Sequence, residues 1–143
     1  FLTHSVGVST TSGVSLMQPF DTEELDPFDL HNSTTNNTRI TVQQSGIYLA
    51  IGTVRWTANT AGVRVARFRI NGDSTKERGQ SEFPASSVSE NMAHTATFLL
   101  DLVQGDYVEF LINQNSGIAL DSLANSNIKF PSFLMLWVST KAN

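Results

Sequence analysis

The stretch that decides the fold is SGIYLAIGTVRW, residues 45–56. A Ser-Gly turn followed by β-branched and aromatic residues predicts a β-strand. Alternate side chains of a strand point to opposite faces, so this strand has two faces to cover. Both are apolar: one carries Tyr48, Ala50, Val54 and Trp56, and the other carries Ile47, Leu49 and Ile51. A two-layer β fold buries one face of each sheet, so the sequence raises the question of what covers the other.

The bulk composition fits a single folded domain. The chain has 143 residues, of which 40% are hydrophobic and only 15% charged, whereas disordered chains are usually rich in charge. The net charge of −4 argues against a nucleic-acid partner, because binding to phosphates needs basic protein surface. The longest apolar run, residues 133–138, is far too short to span a bilayer, and we expect no membrane insertion. The absence of cysteine excludes disulfides and thiolate-bound metal.

Turn signals divide the chain into about eight strands without a convincing helix. This pattern predicts an antiparallel β-sandwich or jelly roll. The strands at 63–70 and 106–113 have one apolar and one charged face, so one side of each meets water. The strands at 47–54, 96–102 and 133–138 are apolar, or nearly so, on both faces. If these share a sheet, a second copy of the chain is the simplest cover for its outer face, because soluble chains commonly bury such patches by symmetric self-association.

Four segments resemble the gC1q and tumour necrosis factor jelly-roll superfamily. They are SGIYLA (45–50), RFRINGD (67–73), LLDLVQGDYVEFLI (99–112) and FPSFLMLWV (130–138). The first is similar to the family's G-x-Y-x-F signature, with Ala50 in place of the aromatic residue, and the last is similar to F-x-G-F-L, with Ser132 in place of the glycine. The resemblance covers about residues 14–140. It implies an all-β, antiparallel jelly-roll β-sandwich of about eight to ten strands that assembles as a homotrimer.

The resemblance also assigns places to segments and side chains. Residues 14–143 would form the jelly-roll domain, and residues 1–13 a linker or a first edge strand from a longer protein. Aligning the motifs predicts that the sandwich is filled by Tyr48, Val54, Phe98, Leu100, Phe133, Met135 and Trp137. It predicts that the trimer interface contains Leu49, Ile51, Leu99, Leu134 and Leu136. A single β-bulge would exchange the two sets.

No catalytic pattern is found in the sequence, and we expect no enzyme and no cofactor. The three histidines, His4, His31 and His94, lack metal-ligand spacing, and there is no G-x-S-x-G elbow or phosphate-binding glycine loop. Calcium is the one metal considered. The acidic segment 21–29 offers Asp21, Glu23 and Asp26 as candidate ligands, since calcium takes carboxylate oxygens from flexible loops. The preferred interpretation is a solvated acidic loop, because exposed charge runs usually need no ligand.

Two other segments are candidates for contact with a partner. The segment 115–127 is polar yet carries Ile118, Leu120 and Leu123, which makes it the candidate recognition loop; the alternative is that these side chains cap one end of the sandwich. The middle of the chain is basic, with Arg55, Arg64, Arg67, Arg69, Lys76 and Arg78. These residues are expected to keep an outer face soluble, and the alternative is an acidic glycan or the acidic loop of a neighbouring subunit.

The sequence supports two hypotheses about function. The acidic segment 20–40 resembles the variant found in bacterial and bacteriophage proteins, which favours a structural and adhesive module: the trimeric head of a phage fibre, tail or capsid decoration protein, located in the virion. Its partners would be copies of itself, other virion proteins, or a host-surface glycan or protein. The alternative is a ligand-binding head of a bacterial surface or collagen-like protein, located at the cell surface or secreted.

Overall fold

The structure, a computed structural model, describes residues 1–88 and 90–140. Its regular structure is almost entirely β. A single 3₁₀ turn at Ser74–Lys76 is the one helical element of the described residues. The strands, in chain order, are β1 (Leu2–Thr3), β2 (Val8–Thr10), β3 (Leu16–Met17), β4 (Thr22–Glu23), β5 (Arg39–Thr41), β6 (Gly46–Trp56), β7 (Val63–Ile70), β8 (Glu77–Pro84), β9 (Met92–Leu102), β10 (Tyr107–Gln114), β11 (Leu120–Ser122) and β12 (Ser132–Ser139).

The strands form two antiparallel sheets that pack face to face. In the first, called the outer-face sheet below, β6 lies at the centre between β9 and β12, and the order continues through β1 to β4. Short strands β11 and β2 extend this sheet beside the last residue of β6. In the second sheet, β3 and β5 pair with one edge of β10, and β7 and β8 follow on its other edge. The all-β antiparallel sandwich expected from the sequence is confirmed.

The long strands lie where the sequence predicts them, and the short ones do not. β7 matches the predicted 63–70, and β6 and β10 match to within one residue. The segment 1–13 is not a linker: β1 lies between β12 and β4, and β2 pairs with β11. Likewise β11 falls inside the predicted loop 115–127, and β4 inside the acidic loop. Strands of two or three residues carry no measurable periodicity, and it is pairing with long neighbours that makes them extended.

Phenylalanine rings from both sheets fill the centre of the sandwich. Phe20, Phe68, Phe110 and Phe133 are fully buried, and the closest ring pairs have centroids 5.6–6.1 Å apart. Gly52 faces these rings from β6, and a Cβ placed there would lie 2.3 Å from the Phe110 ring. Only a residue without a side chain leaves room for the ring, so Gly52 is a packing requirement of the core.

Two predicted core residues are less buried than expected. Tyr48, Val54, Leu100 and Phe133 are buried, and Met135 packs against the core. Phe98 and Trp137 lie on the inward parity, yet they are 41% and 49% exposed. Phe98 is on β9, an edge strand of its sheet, and Trp137 lies beyond the point where β1 stops pairing with β12. Parity fixes the direction of a side chain but not whether a neighbouring strand covers it.

The Asn71-Gly72 turn forms, but not as the tip of a two-residue hairpin. Both residues have positive φ, 54° and 67°, as the sequence predicts. The chain then enters the 3₁₀ turn, capped by the Asp73 side chain, before β8 begins. The Asn71 side chain donates to the Asp106 carboxylate at 2.7 Å and accepts from the Tyr107 N–H at 2.9 Å. This turn is therefore tied to the start of β10.

Candidate self-association face

The outward side chains of β6, β9 and β12 form a flat surface that we call the outer face. The antiparallel register places Leu49 of β6 between Leu136 and Leu99, and it places Ile51 between Leu134 and Thr97. Directly opposed residues of antiparallel strands have Cβ atoms about 5 Å apart, so these six side chains are contiguous. Five of the six are leucine or isoleucine, and none is charged.

The outer face is apolar at its centre and polar at its margins. Leu99 is 57% and Leu136 47% exposed, and the other three aliphatic side chains are half-buried. At one margin Thr53 and Thr95 share a hydrogen bond of 2.9 Å, and further along Arg55 pairs with Ala93. At the opposite margin Asp101 faces Ile47 across the strands. An apolar centre with a polar rim is the usual anatomy of a protein–protein interface.

All five residues that the sequence assigned to the trimer interface lie on this one face. The bulge that could have reversed the parity of β12 falls between Trp137 and Ser139, which is beyond Leu136. The alternation therefore holds through Leu134 and Leu136. Contact with another subunit remains a prediction for these residues; what the structure establishes is that they share a solvent-facing surface.

The acidic loop does not gather its carboxylates. Asp21 accepts hydrogen bonds from the N–H and hydroxyl of Ser5 at 2.9 and 2.6 Å, Glu23 pairs with His31 at 3.0 Å, and Asp26 accepts from two N–H groups of its own loop. Burial alone would raise the pKa of Asp21, but these bonds from Ser5 hold it below its ordinary value. In the described chain, no three acidic or histidine side chains converge as a metal site, so the calcium hypothesis stays a prediction without a ligand group.

The recognition-loop candidates separate into different roles. Ile118 is 58% exposed, Leu120 is buried in the core as part of β11, and Leu123 is half-buried. The buried Gln114 amide donates to the carbonyl oxygens of Thr10 and Ile118 at 2.9 and 2.7 Å and so fixes the loop. Capping therefore describes Leu120, and Ile118 alone of the three presents a large apolar surface to a partner.

The basic segment is not a free basic surface. Arg67 and Arg69 of β7 form ion pairs with Glu77 at 2.6 Å and Glu109 at 3.0 Å in the same sheet. Arg64, expected on a soluble face, is instead 1% exposed. Its guanidinium donates to the carbonyl oxygens of Asn59, Ala61 and Val63, and burial lowers its pKa. Arg64 follows the inward parity of β7 and closes one end of the sandwich.

His94 is a buried histidine that the sequence gave no reason to single out. It lies on the inward face of β9, 6% exposed, with its ring 5.4 Å from that of Phe83. Within the described residues neither ring nitrogen has a hydrogen-bond partner. Burial, with a smaller contribution from the Arg64 charge, lowers the pKa of His94 to about 4. The side chain is therefore held neutral, and folding opposes its protonation.

Comparison with solved structures places this architecture among known folds. The globular domain of zebrafish complement 1qA protein is 16% identical, with a TM-score of 0.57 over 96% of this chain and all of that chain. Eiger TNF from S. frugiperda is 12% identical, with a TM-score of 0.58 over 96% of each chain. Murine APRIL is 17% identical, with a TM-score of 0.58 over 92% of this chain and 96% of that one.

These likenesses establish the fold: the chain is a jelly-roll sandwich of the gC1q and tumour necrosis factor type. At such identities they carry no assignment of activity. No protein-family model matches the chain, and no characterised protein matches it in sequence. In the part of the chain that the structure describes, no helix is long and apolar enough to cross a membrane.

Proposed function

We propose that this domain is a non-enzymatic head module that assembles as a homotrimer through the outer face. The observation that carries the proposal is the uncharged cluster of Leu49, Ile51, Leu99, Leu134 and Leu136, which points away from the core on three neighbouring strands. In the described residues no other element of the chain packs over this face. A second copy supplies an equally apolar surface, and burying a leucine side chain contributes about 1.5–3 kcal/mol.

The module serves as the head of a phage fibre, tail or capsid decoration protein in this proposal. The support is the resemblance of residues 20–40 to the bacterial and bacteriophage variant of the fold. The alternative remains a ligand-binding head of a bacterial surface or collagen-like protein. Antibodies against the domain, imaged by electron microscopy, distinguish the two. Labelling of purified phage particles supports the virion role, whereas labelling confined to the bacterial envelope or culture medium supports the alternative.

Recognition of a host glycan or protein, or of another virion protein, is assigned to the exposed loops. Rigid β scaffolds place binding residues on loops, and Ile118 is the exposed apolar residue of the 115–119 connection. The test is Ile118→Gly, with Leu120 left intact because it belongs to the core. Binding of labelled domain to bacterial cells is measured beside the mass of the assembly. Weaker cell binding by an intact assembly supports the loop, and unchanged binding excludes it.

A further inference from the structure

A cleft of about 480 Å³ opens at the end of the sandwich where β6 begins. One wall is strand β12, a second is the acidic loop, and the floor is formed by core residues that include Tyr48 and Ile40. Four consecutive residues of β12, at positions 134–137, line it. Because alternate side chains of a strand point to opposite faces, a cavity that touches four in succession must lie against the edge of the strand.

That edge of β12 is unpaired for most of its length. β6 covers the other edge as far as Ser139. On the cleft side, β1 pairs only with Ser132 and Phe133, two of the eight residues of β12. Within the described chain, positions 134–139 therefore have no ladder partner on this side. In an antiparallel ladder every second residue directs both its N–H and its C=O to one edge, so two or three such pairs face the cleft.

The free edge and the cleft together have the shape of a missing strand. The five positions 134–138 span about 16 Å at the rise of a β-strand. A segment bound there would continue the line of β1, which runs antiparallel to β12. Backbone groups of an extended peptide are the chemistry that satisfies such an edge, and specificity then comes from pockets for alternate side chains. A volume of about 480 Å³ accommodates one or two large apolar side chains.

The wall opposite β12 indicates the character of the bound segment. Leu25 and Phe28 line the cleft yet are 65% and 74% exposed, among the most exposed large apolar residues of the described chain. Asp26 also lines it, and no described lysine or arginine forms an ion pair with Asp26. The segment 21–29 contains five acids and no lysine or arginine. An apolar side chain flanked by basic residues is complementary to this wall.

We propose that the free edge of β12 and this cleft bind an extended segment of a partner protein by β-strand addition. The segment pairs with residues 134–138, inserts an apolar side chain between Trp137 and the Leu25–Phe28 wall, and carries a basic residue that faces Asp26. This site goes beyond the proposed assembly: it uses the edge of β12, whereas the outer face uses the outward side chains of three strands.

The test uses a seven-residue peptide, blocked at both ends, in which lysine alternates with valine and a central phenylalanine. The whole domain is titrated with it and followed by NMR of the tryptophan indole N–H groups. Trp137 is half-exposed in the cleft, and Trp56, the other tryptophan, is fully buried at the far end of β6. We expect the Trp137 signal to shift in a saturable way, the Trp56 signal to stay, and amides of alternate residues in 134–138 to become protected from exchange.

Matched controls separate strand addition from adhesion of a basic peptide. N-methylation of alternate peptide nitrogens removes one hydrogen-bonding edge and is expected to weaken binding by roughly tenfold or more. Phe28→Ala is expected to weaken it by about tenfold as well, while Ile118→Ala, an exposed apolar position at the opposite end, leaves it unchanged. No shift of Trp137 at about 1 mM peptide, a range chosen to detect weak complexes, would overturn the proposal. Equal binding of the N-methylated peptide, or of a glutamate version, would do the same.

Discussion

Leu99→Asp is the substitution that tests the outer face with least disturbance of the chain's own fold. Leu99 lies on the edge strand β9, directly opposite Leu49, and is 57% exposed. Because the side chain is already largely in water, an aspartate there changes the stability of a single chain by little. In an assembly that covers the outer face, the same carboxylate becomes buried without a partner.

The expected magnitude follows from that difference. A buried charge without a partner costs about 3–5 kcal/mol, and a trimer buries three copies, so the assembly loses about 10 kcal/mol. At about 1.4 kcal/mol for each factor of ten, the association constant falls by roughly seven orders of magnitude. The midpoint concentration of a monomer–trimer equilibrium varies with the square root of that constant. An assembly that is half-formed near 1 μM would therefore require a concentration of a few mM.

Sedimentation velocity across a dilution series measures this shift, with circular dichroism to show that the sandwich remains folded. Ile118→Asp is the matched control, because Ile118 is 58% exposed but lies on a loop away from the outer face. We expect Leu99→Asp to sediment as a folded monomer and Ile118→Asp to sediment like the parent. If Leu99→Asp assembles at the same concentration as the parent chain, the outer face is not the contact surface and the reasoning from register fails.

Three further predictions concern the core and the face. His94 has a folded pKa of about 4 against 6.5 when unfolded; its contribution is complete above pH 6.5 and falls by about 3 kcal/mol by pH 4, so urea titrations should show a shallower pH dependence for His94→Leu, and an unchanged profile would contradict the assignment. Gly52→Ala places a Cβ 2.3 Å from the Phe110 ring and should lower the free energy of unfolding by about 1–3 kcal/mol, partly recovered by adding Phe110→Leu; no loss would show that the core yields there. Leu134→Asp, at a half-buried position beside Ile51, should abolish assembly and also lower the melting temperature of the monomer, whereas an assembly that melts unchanged would remove Leu134 from the interface.

The long strands and the direction of their side chains could be predicted from the sequence because both depend on local alternation. β6 reads with period two over eleven residues, and this placed Leu49 and Ile51 outward and Tyr48 inward without any knowledge of the neighbouring strands. The register then follows from matching apolar faces, since a slip of one residue would turn every core residue to solvent.

The features that escaped prediction depend on which strand ends where. Trp137 has the inward parity but is half-exposed, because β1 stops pairing at Phe133 and leaves the rest of the β12 edge open. Arg64 looked like a surface cation, and its burial depends on carbonyl oxygens contributed by the preceding loop. The cleft had one sequence signal: Leu25 and Phe28 are bulky apolar residues inside an acidic run, where a purely solvated loop would not need them.

The most direct test of the central claim is the mass of the unmodified chain in solution, measured by light scattering between about 1 and 100 μM, the range in which specific protein assemblies commonly form. The chain mass is 15.6 kDa. Assembly through the outer face as a trimer predicts a single species with three times that mass at the upper concentrations. A species that stays at 15.6 kDa throughout would contradict the account, because five aligned aliphatic side chains on three strands would then have no cover.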